Sequence, residues 1–98
     1  MSININFTRN GDELQVNLDG RLDTTTAPEL ESVLNENYIG INSLVIDCEN
    51  LIYVSSAGLR VLLSAHKRMK GEMKLIKVGE LIMEVFEMTG FADIWVIE

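Results

Sequence analysis

The sequence predicts an α/β fold in which a mixed β-sheet begins with an antiparallel hairpin and is flanked by helices, in the order β-β-α-β-α-β-α-β. Three observations predict it. The first twenty residues alternate apolar and polar side chains, as strands with one buried face do. Apolar residues then recur at helical spacing in three later segments. Short apolar runs separate these segments, and right-handed crossovers between them place the later strands parallel.

The hairpin is predicted from two alternating runs joined by a turn pair. The apolar residues of these runs are Ile3, Ile5 and Phe7 in the first, then Leu14, Val16 and Leu18 in the second. Between the runs lies Asn10-Gly11. This pair favours a type I′ turn, because asparagine and glycine best tolerate positive φ at both central positions.

The first helix is predicted to begin near Thr26, after a polar connection. Residues 26–29 (TAPE) have the pattern of a capping box, in which the Thr26 hydroxyl accepts from the third helical amide and Glu29 reaches back to the cap. Pro28 is tolerated in the first turn because amides there have no partner within the helix. Apolar residues at helical spacing indicate about three turns before Gly40.

The remaining chain alternates strands and helices. Strands are predicted at 44–48, 73–78 and 94–97, and helices at about 57–70 and 80–89. A glycine follows each of these two helices, as is typical of helix ends. The last helix is predicted to direct four apolar residues inward: Leu81, Ile82, Val85 and Phe86. Neither a repeat nor a linker interrupts the pattern, so we expect one domain over residues 1–98.

The acidic composition excludes several classes of partner. A net charge of −7 and a pI near 4.6 would repel nucleic acid and anionic membranes, so neither is expected as a partner. No apolar run approaches the ~18 residues of a membrane span, and no secretory signal is apparent. The single cysteine, Cys48, lies in an apolar strand and cannot form an internal disulfide. We therefore expect a cytoplasmic protein with a buried, reduced thiol.

No pattern of catalytic or metal-binding residues is present. His66, the single histidine, follows Ser56 by ten residues on the same predicted helix. At ~1.5 Å per residue it would lie about 15 Å away, too far to act as its base. Asp47 and Glu49 near one strand end are more typical of acceptors for backbone amides than of a metal site. We expect no enzymatic activity, no metal and no cofactor, and the sequence lacks a phosphate-binding loop for a nucleotide.

The unusual segment is residues 53–60 (YVSSAGLR), which joins a strand to a helix. Serine is among the best N-cap residues and contributes ~1 kcal/mol, so Ser55 and Ser56 both have a purely structural explanation. Gly58 within the first turn costs up to ~1 kcal/mol relative to alanine, which indicates that a neighbour or a partner approaches the backbone closely. These residues alone leave a plain helix cap and a functional serine both open.

Three segments together resemble a known family. They are residues 18–30 (LDGRLDTTTAPEL), residues 45–63 (VIDCENLIYVSSAGLRVLL) and residues 85–91 (VFEMTGF). Their order and spacing resemble the anti-sigma-factor antagonists, which are stand-alone STAS domains, over nearly the whole chain. The resemblance implies a mixed sheet flanked by helices, in agreement with the pattern of strands and helices.

The resemblance also implies a function. Members of that family bind an anti-sigma factor that is also a serine kinase, and in the unphosphorylated form they sequester it and free the sigma factor. Phosphorylation by that kinase releases them, and a phosphatase of the PP2C type restores them. The phosphorylated serine of the family lies two positions before a Gly-Leu pair, which here is Gly58-Leu59. The resemblance therefore implies phosphorylation of Ser56.

One departure from the family pattern keeps alternatives open. Many members have aspartate where this chain has Ser55, so Ser55 is a second candidate for modification. A non-phosphorylated STAS subunit of a transport system is the alternative function. Crossover loops gather at one end of such a sheet, where we predict a partner-binding surface of Asp23, Thr24, Thr25, Ser55, Ser56, Ala57, Gly58 and Arg60. Asp47 is carried over as a support of this site, through hydrogen bonds to the backbone ahead of Ser56.

Overall fold

The computed structural model describes residues 3–98. Within them, strands and helices follow one another in the predicted order. The strands are β1 (Ile3–Asn10), β2 (Glu13–Leu22), β3 (Ser43–Val54), β4 (Met73–Ile76) and β5 (Val96–Ile97). The α-helices are α1 (Ala27–Asn37), α2 (Ser56–Arg68) and α3 (Glu80–Thr89), and a 3-10 turn at Phe91–Asp93 joins α3 to β5.

The strands form one mixed sheet in the order β1-β2-β3-β4-β5. β1 and β2 pair antiparallel, and every later neighbouring pair is parallel, which confirms the predicted sheet and its opening hairpin. The turn lies one residue later than predicted, because Asn10 pairs with Glu13 and leaves Gly11 and Asp12 at the centre. Gly11 has φ +63° while Asp12 is outside the positive region, which is typical of a type II′ turn rather than the expected type I′.

β3 extends well beyond the predicted strand at 44–48. Its partner β2 takes five steps from Asn17 to Leu22, whereas β3 takes seven from Asp47 to Val54, so β3 contains two extra residues. Each is a β-bulge, which breaks the alternation of side chains between the two faces. The alternation on which a strand prediction depends is therefore lost in the second half of β3.

The core lies on one face of the sheet, and all three α-helices contribute to it. On β2 the intervening residues Gln15, Asn17 and Asp19 are half-buried or exposed, so they face away from the core. Burying a leucine or phenylalanine side chain contributes about 1.5–3 kcal/mol, so this one cluster holds the helices on the sheet. Its largest fully buried members are Leu14, Val16, Leu18, Leu22, Leu30, Leu34, Leu44, Ile46, Leu62, Leu75 and Phe86.

The last helix follows the prediction in its bounds but not in every inward residue. α3 spans Glu80–Thr89, and Gly90 with φ +83° forms its left-handed C-cap. Ile82 and Phe86 are buried as predicted. Leu81 was expected in the core but is 73% exposed, because it lies at the edge of the apolar face of the helix, in the first turn.

Aromatic packing adds to a short strand pairing in holding the C-terminal segment. β4 ends at Ile76 instead of residue 78, and the predicted strand at 94–97 is reduced to two residues. Trp95, which precedes β5, is buried against Phe86 at 4.9 Å and Phe91 at 4.8 Å between ring centroids. An edge-to-face and a stacked contact are both favourable for aromatic rings, so this packing anchors the short edge strand.

Candidate functional site at the carboxyl end of the sheet

The ends of β2 and β3 bring the predicted site residues together. The two strands are parallel neighbours that stop side by side, with Leu22 paired to Val54. The Ser55 amide then donates to the Leu22 carbonyl at 2.9 Å. Because α1 and α2 begin directly after these strands, the loop at residues 23–26 and the start of α2 form one edge of the molecule.

The loop between β2 and α1 is ordered by its own side chains. The Asp23 carboxylate accepts from the amides of Thr25 at 3.0 Å and Thr26 at 3.1 Å, and from the Thr25 hydroxyl at 2.8 Å. The Thr25 hydroxyl bond, supported by these backbone bonds, lowers the pKa of Asp23 below its ordinary value. Thr24 and Thr25 are exposed, so the loop presents a fixed polar surface.

The predicted capping box at the start of α1 is wrong. Thr26 is the N-cap residue, but its hydroxyl makes no capping bond. Instead the hydroxyl donates to the Arg21 carbonyl at 2.7 Å and accepts from the Asp23 amide at 2.8 Å. Thr26 is 2% exposed, so its hydroxyl satisfies buried backbone groups of the loop rather than the helix end.

The two adjacent serines occupy different positions. Ser55 is the N-cap of α2, and its Oγ accepts from the Gly58 amide at 3.3 Å. Ser56 is the first residue of α2 and is exposed. Its hydroxyl takes part in no side-chain hydrogen bond with the described residues. The capping role that the sequence allowed for either serine therefore belongs to Ser55.

Gly58 is required by a close contact with a neighbour. A Cβ at this position would lie 2.8 Å from Leu22 Cγ and 2.9 Å from the Leu22 carbonyl oxygen. This confirms the expectation that something approaches the backbone here, and it identifies the end of β2. The first turn of α2 can therefore lie directly against the strand that leads into the Asp23 loop.

The other predicted surface residues differ in exposure. Ala57 is half-buried, whereas Arg60 is exposed and makes no ion pair with any of residues 3–98. Arg60 lies four residues after Ser56, a spacing that places both on one face of α2.

Asp47 lies apart from this edge. It is 8% exposed, and its carboxylate accepts from the Glu49 amide at 2.9 Å and lies 3.7 Å from Lys77 Nζ. Glu49 precedes Ser56 by seven residues and belongs to β3, at the first of its two bulges. Asp47 thus supports the backbone of the bulged strand and contacts Ser56 through no hydrogen bond of its own.

Sequence reasoning missed a cross-strand pair beside the serines. Arg21 of β2 and Tyr53 of β3 are register partners, and the guanidinium lies 4.2 Å from the ring centroid. Arg21 Nε also lies 4.0 Å from the Asp23 carboxylate. The bulges of β3 set this register, so sequence spacing alone does not reveal the pair.

Comparison with known proteins identifies the family. Residues 4–98 match the STAS domain family. The anti-sigma-B factor antagonist of Bacillus subtilis is 32% identical over 97 residues, covering 96% of this chain and 89% of that protein. The chain belongs to the STAS family, among the anti-sigma factor antagonists. Proteins of this kind are regulators and not enzymes, in agreement with the absence of a catalytic pattern in the sequence.

Solved STAS structures share the fold. An anti-sigma factor antagonist from Mycobacterium paratuberculosis gives a TM-score of 0.86 at 21% identity, covering 97% of this chain and 84% of that chain. The Bacillus cell fate determinant SpoIIAA in its phosphorylated form gives 0.75 at 14% identity, covering 97% and 91%. No α-helix within residues 3–98 of this STAS domain is long and apolar enough to cross a membrane.

The remaining titratable groups of this STAS domain show no catalytic arrangement. His66 is half-buried in the last turn of α2, at the opposite end of the helix from Ser56. Cys48 is buried in β3, and desolvation, reinforced by the adjacent Asp47, raises its pKa to about 12. Groups of three or more metal-ligating side chains do not occur in the described part of the chain.

Proposed function

We propose that this chain is a phosphorylation-controlled antagonist of an anti-sigma factor. In its unphosphorylated form it binds and sequesters an anti-sigma factor with serine kinase activity, which frees the sigma factor for transcription. Phosphorylation of Ser56 by that kinase releases it, and a PP2C-type phosphatase restores it. Family membership and the name of the Bacillus subtilis relative support the class of partner. The partner surface comprises Asp23, Thr24, Thr25, Ser55, Ser56, Ala57, Gly58 and Arg60.

The observation that carries the proposal is the exposed hydroxyl of Ser56 at the first position of α2, which forms no side-chain hydrogen bond with residues 3–98. A kinase needs such a hydroxyl to be accessible and not already bonded. Ser55 fits less well, because its Oγ caps α2, and losing such a cap costs about 1 kcal/mol. SpoIIAA, which has the same fold, exists in a phosphorylated form.

The position of Ser56 also supports a switch that leaves the fold intact. A phosphate adds about −1.5 to −2 charges. At a helix N-terminus the dipole favours negative charge, and Arg60 lies one turn away on the same face. A partner packed on Ser56 would have to bury this dianion, which is costly without new partners. The added group therefore weakens the complex and spares the domain.

The test uses the chain recovered from its own cells. We expect part of the wild-type protein to be about 80 Da heavier by intact mass, with the added phosphate on Ser56 by peptide fragmentation. Ser55→Ala should keep this species and Ser56→Ala should lose it. The phosphorylated protein should keep its circular dichroism spectrum and lose the anti-sigma factor that copurifies with the unmodified one. Phosphate on Ser55 alone, or no phosphate under any growth condition, would exclude the proposed switch.

A further inference from the structure

A cleft beside the start of α3 exposes two aliphatic side chains. Ile52 of β3 is 62% exposed and Leu81 of α3 is 73% exposed. They lie on the two walls of a cleft of about 220 Å³, which is completed by Leu51, Gly79, Glu80 and Ile82. Exposed apolar surface shared between two elements is typical of a protein interaction site.

The architecture of the sheet creates this cleft. β4 pairs with β3 only as far as Asp47, and beyond that point β3 pairs with β2 alone. Instead of a further strand, the start of α3 lies across the cleft from this part of β3. The second bulge of β3 lies between Leu51 and Tyr53, so Ile52 is the inserted residue. Its side chain lies outside the core. Leu81 also lies outside the core, whereas Ile82, the next residue of α3, is buried in it.

The cleft lies close along the chain to Ser56. Ile52 precedes Ser56 by four residues, which at ~3.3 Å per strand residue separates them by at most about 13 Å. Between them Tyr53 is 40% exposed and carries Arg21 over its ring. Ile52 and Ser56 therefore lie within one short segment, where β3 leads into α2.

Size and charge indicate what fits the cleft. Small-molecule sites usually occupy ~300–1,000 Å³, so this smaller cleft is better suited to one large side chain of a protein. Glu80 lines the cleft, and Glu84 follows it one turn later on the same helix face. Neither glutamate makes an ion pair with another residue in the range 3–98. The rim is thus negative and uncompensated.

We infer that the anti-sigma factor inserts an aliphatic or aromatic side chain between Ile52 and Leu81 and places lysine or arginine beside the glutamate rim. This inference rests on the proposed function and extends its surface beyond the residues around Ser56. The cleft provides affinity through apolar burial, while Ser56 provides control. Interfaces commonly divide in this way, with a few buried apolar anchors carrying most of the binding energy.

The test first identifies the partner from a position outside the cleft. A photo-crosslinking residue at Thr24, in the exposed Asp23 loop, is expected to capture an anti-sigma factor in the cells from which the chain comes. The same residue at Ile39, which is 84% exposed after α1 at the other end of the domain, is the control and should not capture it. If Thr24 captures nothing or a protein of another class, the proposed function fails, and the inference fails with it.

The captured factor is then purified and titrated with variants of the cleft. Leu81→Ser and Ile52→Thr should each weaken binding at least tenfold, while Ile39→Ser should change it less than twofold. Both cleft residues are exposed, so the urea unfolding midpoints should stay close to that of the wild type. If both variants fold and bind the factor as tightly as the wild type, the cleft is not part of the interface, although the function proposed for Ser56 stands.

Discussion

Gly58 determines how closely α2 can approach the end of β2. An added Cβ would meet the Leu22 side chain and, more seriously, the Leu22 carbonyl oxygen at 2.9 Å. That carbonyl already accepts from the Ser55 amide, so it is held by the same junction. The two strand ends and the two helix starts therefore depend on the missing side chain of one residue.

Replacing Gly58 by alanine should destabilise the protein although alanine is the better helix former. Alanine gains about 1 kcal/mol in helix propensity. Overpacking in a fixed environment costs about 1–3 kcal/mol, and here the obstacle is partly backbone. We therefore expect the free energy of unfolding in urea to fall by up to about 2 kcal/mol. Ser64→Ala, at an exposed position of the same helix, should leave stability equal or slightly higher. A stabilised Gly58→Ala variant would contradict the contact.

The neighbouring serines show where prediction from sequence stops at the residue scale. The sequence located both at the start of a helix, because an apolar strand and an apolar helix flank them. It could not separate Ser55 from Ser56, since both have the side chain that an N-cap requires. The difference depends on whether the helix begins one residue earlier or later, and the hydrogen bond from Ser55 to the Leu22 carbonyl fixes that point.

The β2–α1 loop is the element that depends most on a single buried hydroxyl. The Thr26 hydroxyl donates to the Arg21 carbonyl and accepts from the Asp23 amide. The Asp23 carboxylate in turn accepts from the Thr26 amide. These bonds hold the loop in one conformation beside Ser56. A docking loop that is already ordered does not need to be ordered on binding, which reduces the entropic cost of association.

Thr26→Val should destabilise the protein by about 1–3 kcal/mol, because the near-isosteric change leaves buried backbone groups without partners. Thr25→Val is the matched control. Thr25 is exposed, so its loss should cost less even though its hydroxyl also bonds to Asp23. Urea unfolding measures both. A Thr26→Val variant as stable as the wild type would show that the Thr26 hydroxyl is not structurally important.

Among elements, the regular ones were predictable and the irregular ones were not. The bounds of α3 were predicted to the residue, since its apolar spacing and its terminal glycine act within one segment. The second half of β3 was not predicted. Its bulges depend on the pairing with β2, and they break the alternation of side chains between the two faces. The cleft at Ile52 and Leu81 was equally hidden, since the sequence pattern assigned Leu81 to the core.

At the scale of the whole molecule, β3 connects the functional edge to the interior of the sheet. It lies between β2 and β4, carries Cys48 in the core, and leads directly into Ser55. The elements packed on β3 cover it completely at Cys48, whose side chain is not exposed to solvent. The ionisation of this thiol is therefore a probe of the integrity of the entire sheet.

Cys48 should make the stability of the protein decrease in alkaline solution. Burial raises its pKa from an ordinary value of 9.0 to about 12 in the folded state. As the pH rises above about 9, the unfolded chain loses the thiol proton first, so the unfolded state is favoured. The contribution of Cys48 is fully present below pH 9 and is lost progressively towards pH 12.

Cys48→Ala lacks this proton, and its other titrating groups are those of the wild type. The difference in unfolding free energy between wild type and variant should stay constant from pH 7 to 8. It should then shift against the wild type by up to about 1.4 kcal/mol per pH unit above pH 9. Urea unfolding at several pH values measures the difference. A constant difference up to pH 10.5 would mean that Cys48 ionises in the folded sheet as easily as in the unfolded chain, and that β3 is open to water.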